Sequence, residues 1–306
     1  MRRRDFLAIS VAAAACTGAR DVEPHTTFPT GARERLSVST YPFRKLIISR
    51  RNVTGRMTLK QFAETVKPKL NVPGIEPWSH HFESTGPDYV RGLGEHFEQA
   101  GLHVVNIPVD MPAKLCGTSE ERTAALAMYR EWVDAAVILK SPSIRVHLPR
   151  GENPGSIACS VSALRELAAY GASKNIVINV ENDVPTIEQP ERIVEIIKAV
   201  NSPFLRALPD FCNSMLVHND HEYNYRAMDM LFPLAFNISH VKDEESGDHG
   251  EVYRVDVNRI FGIAGKTGYR GYFSMEWEGQ GDDPYEGCRQ LIEASLHNLE
   301  SDVPAR

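Results

Sequence analysis

From residue 35 onward the chain alternates a short apolar run with a longer amphipathic one, eight times, at roughly 30-residue spacing. Strand-length apolar runs that alternate with helical periodicity belong to a parallel sheet with its helices outside. Eight such units in one unbroken series fit a single (β/α)8 barrel better than an open doubly wound sheet. The predicted strands are residues 36–43, 72–78, 102–109, 143–148, 175–180, 205–208, 235–241 and 272–275. The predicted helices are residues 58–67, 87–100, 119–139, 160–170, 188–200, 219–231, 258–267 and 283–299. Local signals mark several ends: Thr58 as an N-cap, Pro68 as a stop, Gly101 and Gly171 as closures, and Asp283-Pro284 as the last helix start. No Gly-rich phosphate loop follows any strand, and the helices are too unlike one another for a solenoid.

In such a barrel the active site lies at the C-terminal ends of the strands, so those ends are where chemistry is sought. The last predicted strand sits in Gly271-Tyr272-Phe273-Ser274-Met275-Glu276-Trp277-Glu278-Gly279, an apolar run that ends on a carboxylate. Burying that group without a partner costs several kcal/mol. The three strands before it end in the same way: strand five in Glu181, strand six in Asp210, and strand seven carries His240. One such residue reads as a loop cap or a satisfied core histidine. Four on consecutive strands converge on the barrel axis, and three carboxylates placed together repel one another unless a cation relieves them. A set of three oxygen donors and one imidazole suits Mn²⁺, Co²⁺ or Mg²⁺, is compatible with catalytic Zn²⁺, and lacks the sulfur of most structural zinc sites.

Other residues share this rim. His147 ends strand four, with Arg145 and Arg150 beside it. Lys242 follows His240 by two and so points to the same side. Glu76 ends strand two. Each is a candidate substrate contact; the alternatives are a polar barrel layer for His147, a counter-ion for Asp210 or Glu276 for Lys242, and a loop-facing acid for Glu76. Glu188 reads as the opening of the next helix, Glu278 as a support for Glu276, and the pairs His80-His81 and His218/His221 as exposed loop residues.

Val180-Glu181-Asn182, Pro209-Asp210, Ser239-His240-Val241-Lys242-Asp243 and Ser274-Met275-Glu276 resemble the strand-end motifs of the xylose isomerase-like TIM barrels. That family includes sugar phosphate isomerases/epimerases, ketose 3-epimerases, hydroxypyruvate isomerases and inosose dehydratases. The resemblance extends over about residues 35–300. It implies that Glu181, Asp210, His240 and Glu276 hold a divalent metal ion, and that Glu181 and Glu276 also move protons on opposite faces of a small sugar or polyol. The metal would polarise a carbonyl and acidify the neighbouring C–H. One carboxylate would remove that proton, leaving an enediolate, and a second group would return it. Trp277, Trp78 and Phe43 are candidates to stack on a sugar ring, or else to pack. Two departures separate the chain from ketose 3-epimerases. Asn213 stands where they place a histidine, and no second glutamate follows Glu181 closely, so 3-epimerisation of a free ketose is not implied. A keto-sugar lyase or dehydratase would use the same enolate, and a non-catalytic carbohydrate-binding barrel is a further reading, against which the intact ligand set argues. An endonuclease IV-like repair enzyme would need more ligands and a basic surface; the net charge of -6 over 306 residues speaks against any nucleic-acid partner.

Residues 1–34 read as an export signal and tether, and 301–306 as a C-terminal tail. Met1-Arg2-Arg3-Arg4-Asp5-Phe6-Leu7 supplies a twin arginine, and the apolar stretch at 8–15 is too short to span a bilayer. This pattern reads as twin-arginine export of a folded protein to the periplasm, the alternative being a basic N-terminus without that role. Cys16 follows four alanines and resembles the lipidated cysteine of bacterial lipoprotein signals, with Ala13 in place of the usual leucine. A lipid there would be the chain's sole contact with a membrane. Cys116, Cys159, Cys212 and Cys288 lack CxxC spacing and stand as buried thiols or one disulfide. A homo-oligomer is compatible with the sequence.

Overall fold

The computed structural model describes residues 23–49, 51–148, 155–247 and 249–301; the leader with Cys16, Arg150 and residues 302–306 lie outside them. Strands β1 (Leu36–Ser39), β2 (Gly74–Glu76), β3 (His103–Val104), β8 (Ile238–Val241) and β11 (Tyr272–Met275) form one parallel sheet in the order β3-β2-β1-β11-β8. Strands β4 (Pro108–Val109), β5 (Ser143–Val146), β6 (Val177–Glu181) and β7 (Leu205–Leu208) form a second, β4-β5-β6-β7. Two joints close them into one (β/α)8 barrel. Bridges Ala207↔Ala235 and Asp210↔His240 link β7 to β8. On the far side β3 and β4 are two pieces of a single third strand, the first paired with β2 and the second with β5.

Helices α1 (Leu59–Leu70), α2 (Pro87–Gln99), α3 (Ser119–Ile138), α4 (Gly155–Lys174), α5 (Pro190–Val200), α6 (His221–Leu231), α7 (Val257–Lys266) and α8 (Pro284–Ser301) ring the barrel, with α8 closing on α1. Helix α1 shows why they form. Leu59, Phe62, Ala63, Val66 and Leu70 recur at helical spacing and are all buried, while Thr58 and Gln61 make a reciprocal capping box worth about 1 kcal/mol. Pro68 does not stop this helix. The carbonyl that loses its donor belongs to exposed Glu64, open to solvent, and burial of Leu70 carries the helix on to Asn71, which closes it at φ 52°. Gly171 is likewise no cap: α4 continues to Lys174, and a Cβ at Gly171 would lie 2.3 Å from the Ile176 carbonyl oxygen, where the helix leans on the approach to β6. Helix α5 begins at Pro190, two residues after the predicted start, and leaves Glu188 in the loop. The hairpin of β9 (Glu244–Ser246) and β10 (Val252–Arg254) after β8 has no counterpart in the predicted elements.

Apolar residues of the strands, such as Ile144, Val146, Ile178 and Val180, face the helices in the main core. The alternate residues make a polar barrel interior. Asn179 donates to Asn237 (3.1 Å), Asn237 to Ser143 (2.7 Å), Ser143 to Asn106 (2.6 Å) and Asn106 to Glu76 (2.7 Å). Each is fully buried and hydrogen-bonded into this chain, which is the condition for tolerating polar groups inside, although Asn179 Oδ1 has no hydrogen-bond partner among the described residues. At the N-terminal end of the barrel Phe28 packs edge-on against Phe236 and Tyr272. His25 exchanges two hydrogen bonds with Asn175, and Glu23 pairs with Arg206 at 3.7 Å. From residue 23 the stretch expected as a tether is therefore seated on the barrel floor. A disulfide joins Cys116, in the loop after β4, to Cys159 in α4, while Cys212 and Cys288 are buried free thiols. No helix among the described residues is long and apolar enough to cross a membrane.

Candidate active site

The strand-end residues meet. Glu181 is the last residue of β6, Asp210 lies just past β7, His240 is in β8 and Glu276 follows β11, and each offers one donor atom within 4.8 Å of the others. His240 is the hub. Its Nδ1 lies 2.7 Å from Glu181 Oε1, 3.0 Å from Glu276 Oε2 and 4.0 Å from Asp210 Oδ2. Its Nε2 lies 3.0 and 3.1 Å from the two oxygens of Glu76.

Backbone and side chain anchors tie one oxygen of a carboxylate and leave the other facing inward. Asp210 Oδ1 accepts from the backbone N–H groups of Cys212 (2.9 Å) and Asn213 (2.8 Å), while its Oδ2 has no hydrogen-bond partner among the described residues. Glu276 Oε1 accepts from Ser39 Oγ at 3.2 Å, which leaves Oε2 to the centre. The Asn182 amide clamps the Asp210 backbone with bonds of 2.8 and 3.1 Å. Hard oxygens, one imidazole nitrogen and an unpartnered buried carboxylate oxygen are a donor set that fits a divalent cation. The Glu76 carboxylate behind the imidazole is the outer partner that metal-ligating histidines usually have.

Two buried cations flank the set. Arg145 Nε lies 2.9 Å from Glu181 Oε2, without hydrogen-bond alignment, and its other end pairs with Asp110. Lys242 Nζ reaches Glu278 at 2.6 Å, Asn213 at 3.0 Å, Glu245 at 3.1 Å, Glu276 at 3.5 Å and Asp210 at 3.6 Å. The β9–β10 hairpin is what brings Glu245 to it. Burial drives the Asp210 carboxyl up to about 8, aided by Glu181 and Glu276 against Lys242 and His240. Burial also acts to raise Glu276, but His240 and Lys242 bring it down to about 2. His240 is held well above its usual value, since Glu181, Glu276 and Glu76 outweigh its burial. A cation bound here would compete with protons at Asp210 and His240, whose affinity for protons the site raises.

A second group stands beside the first. His147 Nδ1 lies 3.2 Å from Glu188 and 3.8 Å from Asp183, and its Nε2 lies 3.0 Å from Asp110. Burial and Arg145 work against protonation of His147, yet Glu188 and Asp110 raise it to about 10. Glu188 also accepts from the Leu148 N–H at 2.6 Å and the Val184 N–H at 2.9 Å. It ties two loops together instead of opening a helix. Tyr41, Asp110, Arg145, Asp183, Lys242 and Glu278 wall a cavity of about 50 Å³ over the ligand set.

Of the residues expected at substrate, His147 and Lys242 stand at this rim. Glu76 is fully buried behind His240, bonded to it and to Asn106, and does not face the cavity. His80 and His81 are buried, not exposed: His80 Nε2 pairs with the Asp110 carbonyl and His81 Nδ1 with Thr40. His218 and His221 are exposed. Phe43 is core, packed on Phe62 and Tyr285, and Trp78 donates its Nε1–H to Asp110 at 2.6 Å. Trp277 lies on Gly287, where a Cβ would come within 2.3 Å of the ring. Asp110 and Asp183 are not among the residues the sequence points to; Asp110 directly follows β4, and so obeys the strand-end rule on the third strand.

Residues 68–297 match the family described as xylose isomerase-like TIM barrel. No curated protein matches the chain. Among solved structures, a xylose isomerase-like TIM barrel protein from Mycobacterium smegmatis in complex with magnesium is 16% identical, with a TM-score of 0.71 over 89% of this chain and 99% of that one. D-psicose 3-epimerase from Clostridium cellulolyticum H10, with D-tagatose, is 14% identical, with a TM-score of 0.63 over 87% and 97%. The 3-keto-D-glucoside 4-epimerase of E. coli is 15% identical, with a TM-score of 0.64 over 87% and 99%. The barrel and the match over most of the chain agree: this protein belongs to the xylose isomerase-like TIM barrel family.

Proposed function

We propose that the protein is an exported, divalent-metal-dependent isomerase or epimerase of a small sugar or polyol. The observation that carries this reading is the convergence of Glu181, Asp210, His240 and Glu276, with three carboxylates around one imidazole nitrogen. Neighbours in fold that are named for sugar epimerisation, and one solved with magnesium, support it. A divalent cation held by these four residues would polarise a carbonyl and acidify the adjacent C–H. Glu181 and Glu276 approach the centre from β6 and β11, and we assign them the removal and return of that proton. Arg145 and Lys242 offset the negative charge around them. Asp110 and His147 stand at the edge of the cavity, where hydroxyl groups of the substrate would be met. The twin-arginine leader supports export, and so does the Cys116–Cys159 disulfide, a bond that persists in oxidising compartments.

The test is hydrogen exchange. Protein stripped of metal should take up Mn²⁺ or Co²⁺ at about one ion per chain, the stoichiometry of a single four-ligand site. Loaded protein should then incorporate deuterium from D₂O beside the carbonyl of at least one sugar in a panel of free, phosphorylated, glycosidic and 3-keto sugars. Glu181→Gln and Glu276→Gln should each abolish incorporation; exchange that survives both substitutions would overturn the assignment. Exchange accompanied by loss of a hydroxyl or an aglycone would assign the lyase alternative.

A further inference from the structure

The cavity over the ligand set, about 50 Å³, has room for little more than one or two waters' volume, so it takes the reacting end of a substrate and not the whole of one. A second cleft of about 590 Å³ opens beside it. The two share Asp110, and His147 lines the larger. That volume is within the range of about 300–1,000 Å³ typical of small-molecule sites.

The two spaces differ in chemistry. The small one is charged on nearly every side. The large one has an apolar wall of Met111, Pro112, Ala113, Leu115, Tyr129 and Leu148, with Arg51 and Lys114 also lining it. Its wall is also fixed in place. Cys116 belongs to it and is bonded to Cys159 of α4, and Tyr129 comes from α3. At the junction the Asp110 carboxylate is held by the Trp78 Nε1–H, by Arg145 and by His147, so polar groups mark the passage between a polar chamber and an apolar one. A free monosaccharide is polar on every side and has no apolar group to place against that wall. A sugar that carries an apolar group through a glycosidic bond matches both.

Resting on the reading of the ligand set as a sugar-transforming site, we infer that the substrate is a glycoside. The reacting edge of its sugar meets Glu181, Asp210, His240 and Glu276, the rest of the sugar with its glycosidic oxygen lies past Asp110 and His147, and its apolar aglycone fills the cleft lined by Met111 and Leu115. Binding in the cleft makes and breaks no bond; it selects the substrate.

Methyl and phenyl β-D-glucopyranoside, and the matching galactoside pair, differ only in the aglycone and undergo no proton transfer beside a carbonyl. Their affinities for the Mn²⁺-loaded full chain are read by isothermal titration. The phenyl glycoside should bind at least tenfold more tightly than the methyl one in at least one pair. Ala113→Trp, which fills the cleft from a half-buried loop position, should bring the ratio to about one, and Met111→Trp serves as an independent plug. Equal affinities, no binding in either pair, or a phenyl preference that survives both plugs would overturn the inference. The outcome is independent of catalysis. A phenyl preference without deuterium exchange would leave the cleft assignment standing and remove the isomerase reading; exchange without a phenyl preference would do the reverse.

Discussion

Glu76 is the residue whose role the structure alters most, and replacing it isolates one interaction. Its carboxylate touches His240 Nε2 at 3.0 and 3.1 Å and Asn106 at 2.7 Å, and it is fully buried. It lies on the far side of the imidazole from Glu181, Asp210 and Glu276. Two effects of Glu76 on a cation bound at Nδ1 can be separated. The first is orientation, since a hydrogen bond from Nε2–H fixes the ring and leaves the Nδ1 lone pair facing inward. The second is charge, since the carboxylate makes the ring a better donor. Glu76→Gln keeps an acceptor for Nε2–H and most of the volume, and so removes chiefly the charge. Glu76→Ala removes both. Losing such an outer partner typically weakens metal binding about 10–100-fold, or roughly 1.4–2.8 kcal/mol. The alanine variant should also lose about 1–3 kcal/mol of folding stability through the unpartnered Nε2–H and the Asn106 amide. Mn²⁺ titration of metal-free protein, with urea unfolding on the same samples, measures both. The glutamine variant should fall in the tenfold range with little change in stability, and the alanine variant further in both. A loss confined to Glu76→Ala would reduce the role to orientation. Unchanged Mn²⁺ affinity in both variants would refute the reasoning, because it would mean that His240 Nδ1 does not face the ion.

Two further outcomes concern the scaffold. The Cys116–Cys159 bond closes a loop of 43 residues, and the chain-entropy relation gives such a loop about 4 kcal/mol of stability. Urea unfolding with and without reductant should show a loss of that order, matched by Cys116→Ser; a loss under about 1 kcal/mol would mean that the bridge constrains the unfolded chain little. His81 is buried beside His80, and burial first, with His80 second, lowers its pKa from 6.5 to about 3. The unfolded chain then binds a proton that the folded one refuses. Stability should be fully present above pH 6.5 and fall as pH drops toward 3, by about 1.4 kcal/mol per unit. His81→Gln should flatten the urea midpoint between pH 7 and pH 4.5 relative to the parent protein, and equal slopes would show that the imidazole titrates freely in the fold.

The barrel and the convergence of four strand-end residues were legible because both rest on local chemistry. A strand buried between barrel interior and helices is a short apolar run, and a carboxylate at its end stands out against that background. Four in series compound the signal. What escaped depends on residues far apart in the chain. Glu188 stands two before Pro190 and reads as a helix opening; its burial follows from His147, 41 residues earlier. His80 and His81 look like loop polarity until Asp110 and Thr40 fold over them. The hairpin strands are three residues each, below the length at which alternation can be recognised, and it is this hairpin that delivers Glu245 to Lys242. Pro68 and Gly171 misled for one reason. Each is a helix breaker by intrinsic preference, and each is overridden by what its helix packs against. The larger cleft has no sequence signal at all, because its walls come from Arg51 after β1, the loop and helix after β4, and the loop after β5.

The seating of Phe28 and His25 on the barrel floor has a consequence for how the molecule would stand at a surface. Cys16 precedes Glu23 by seven residues, a span of at most about 25 Å even when fully drawn out. A lipid on Cys16 would therefore hold the N-terminal end of the barrel toward the bilayer. With such a lipid the mouth, at the opposite end, would open away from the membrane, toward solutes arriving from the aqueous side.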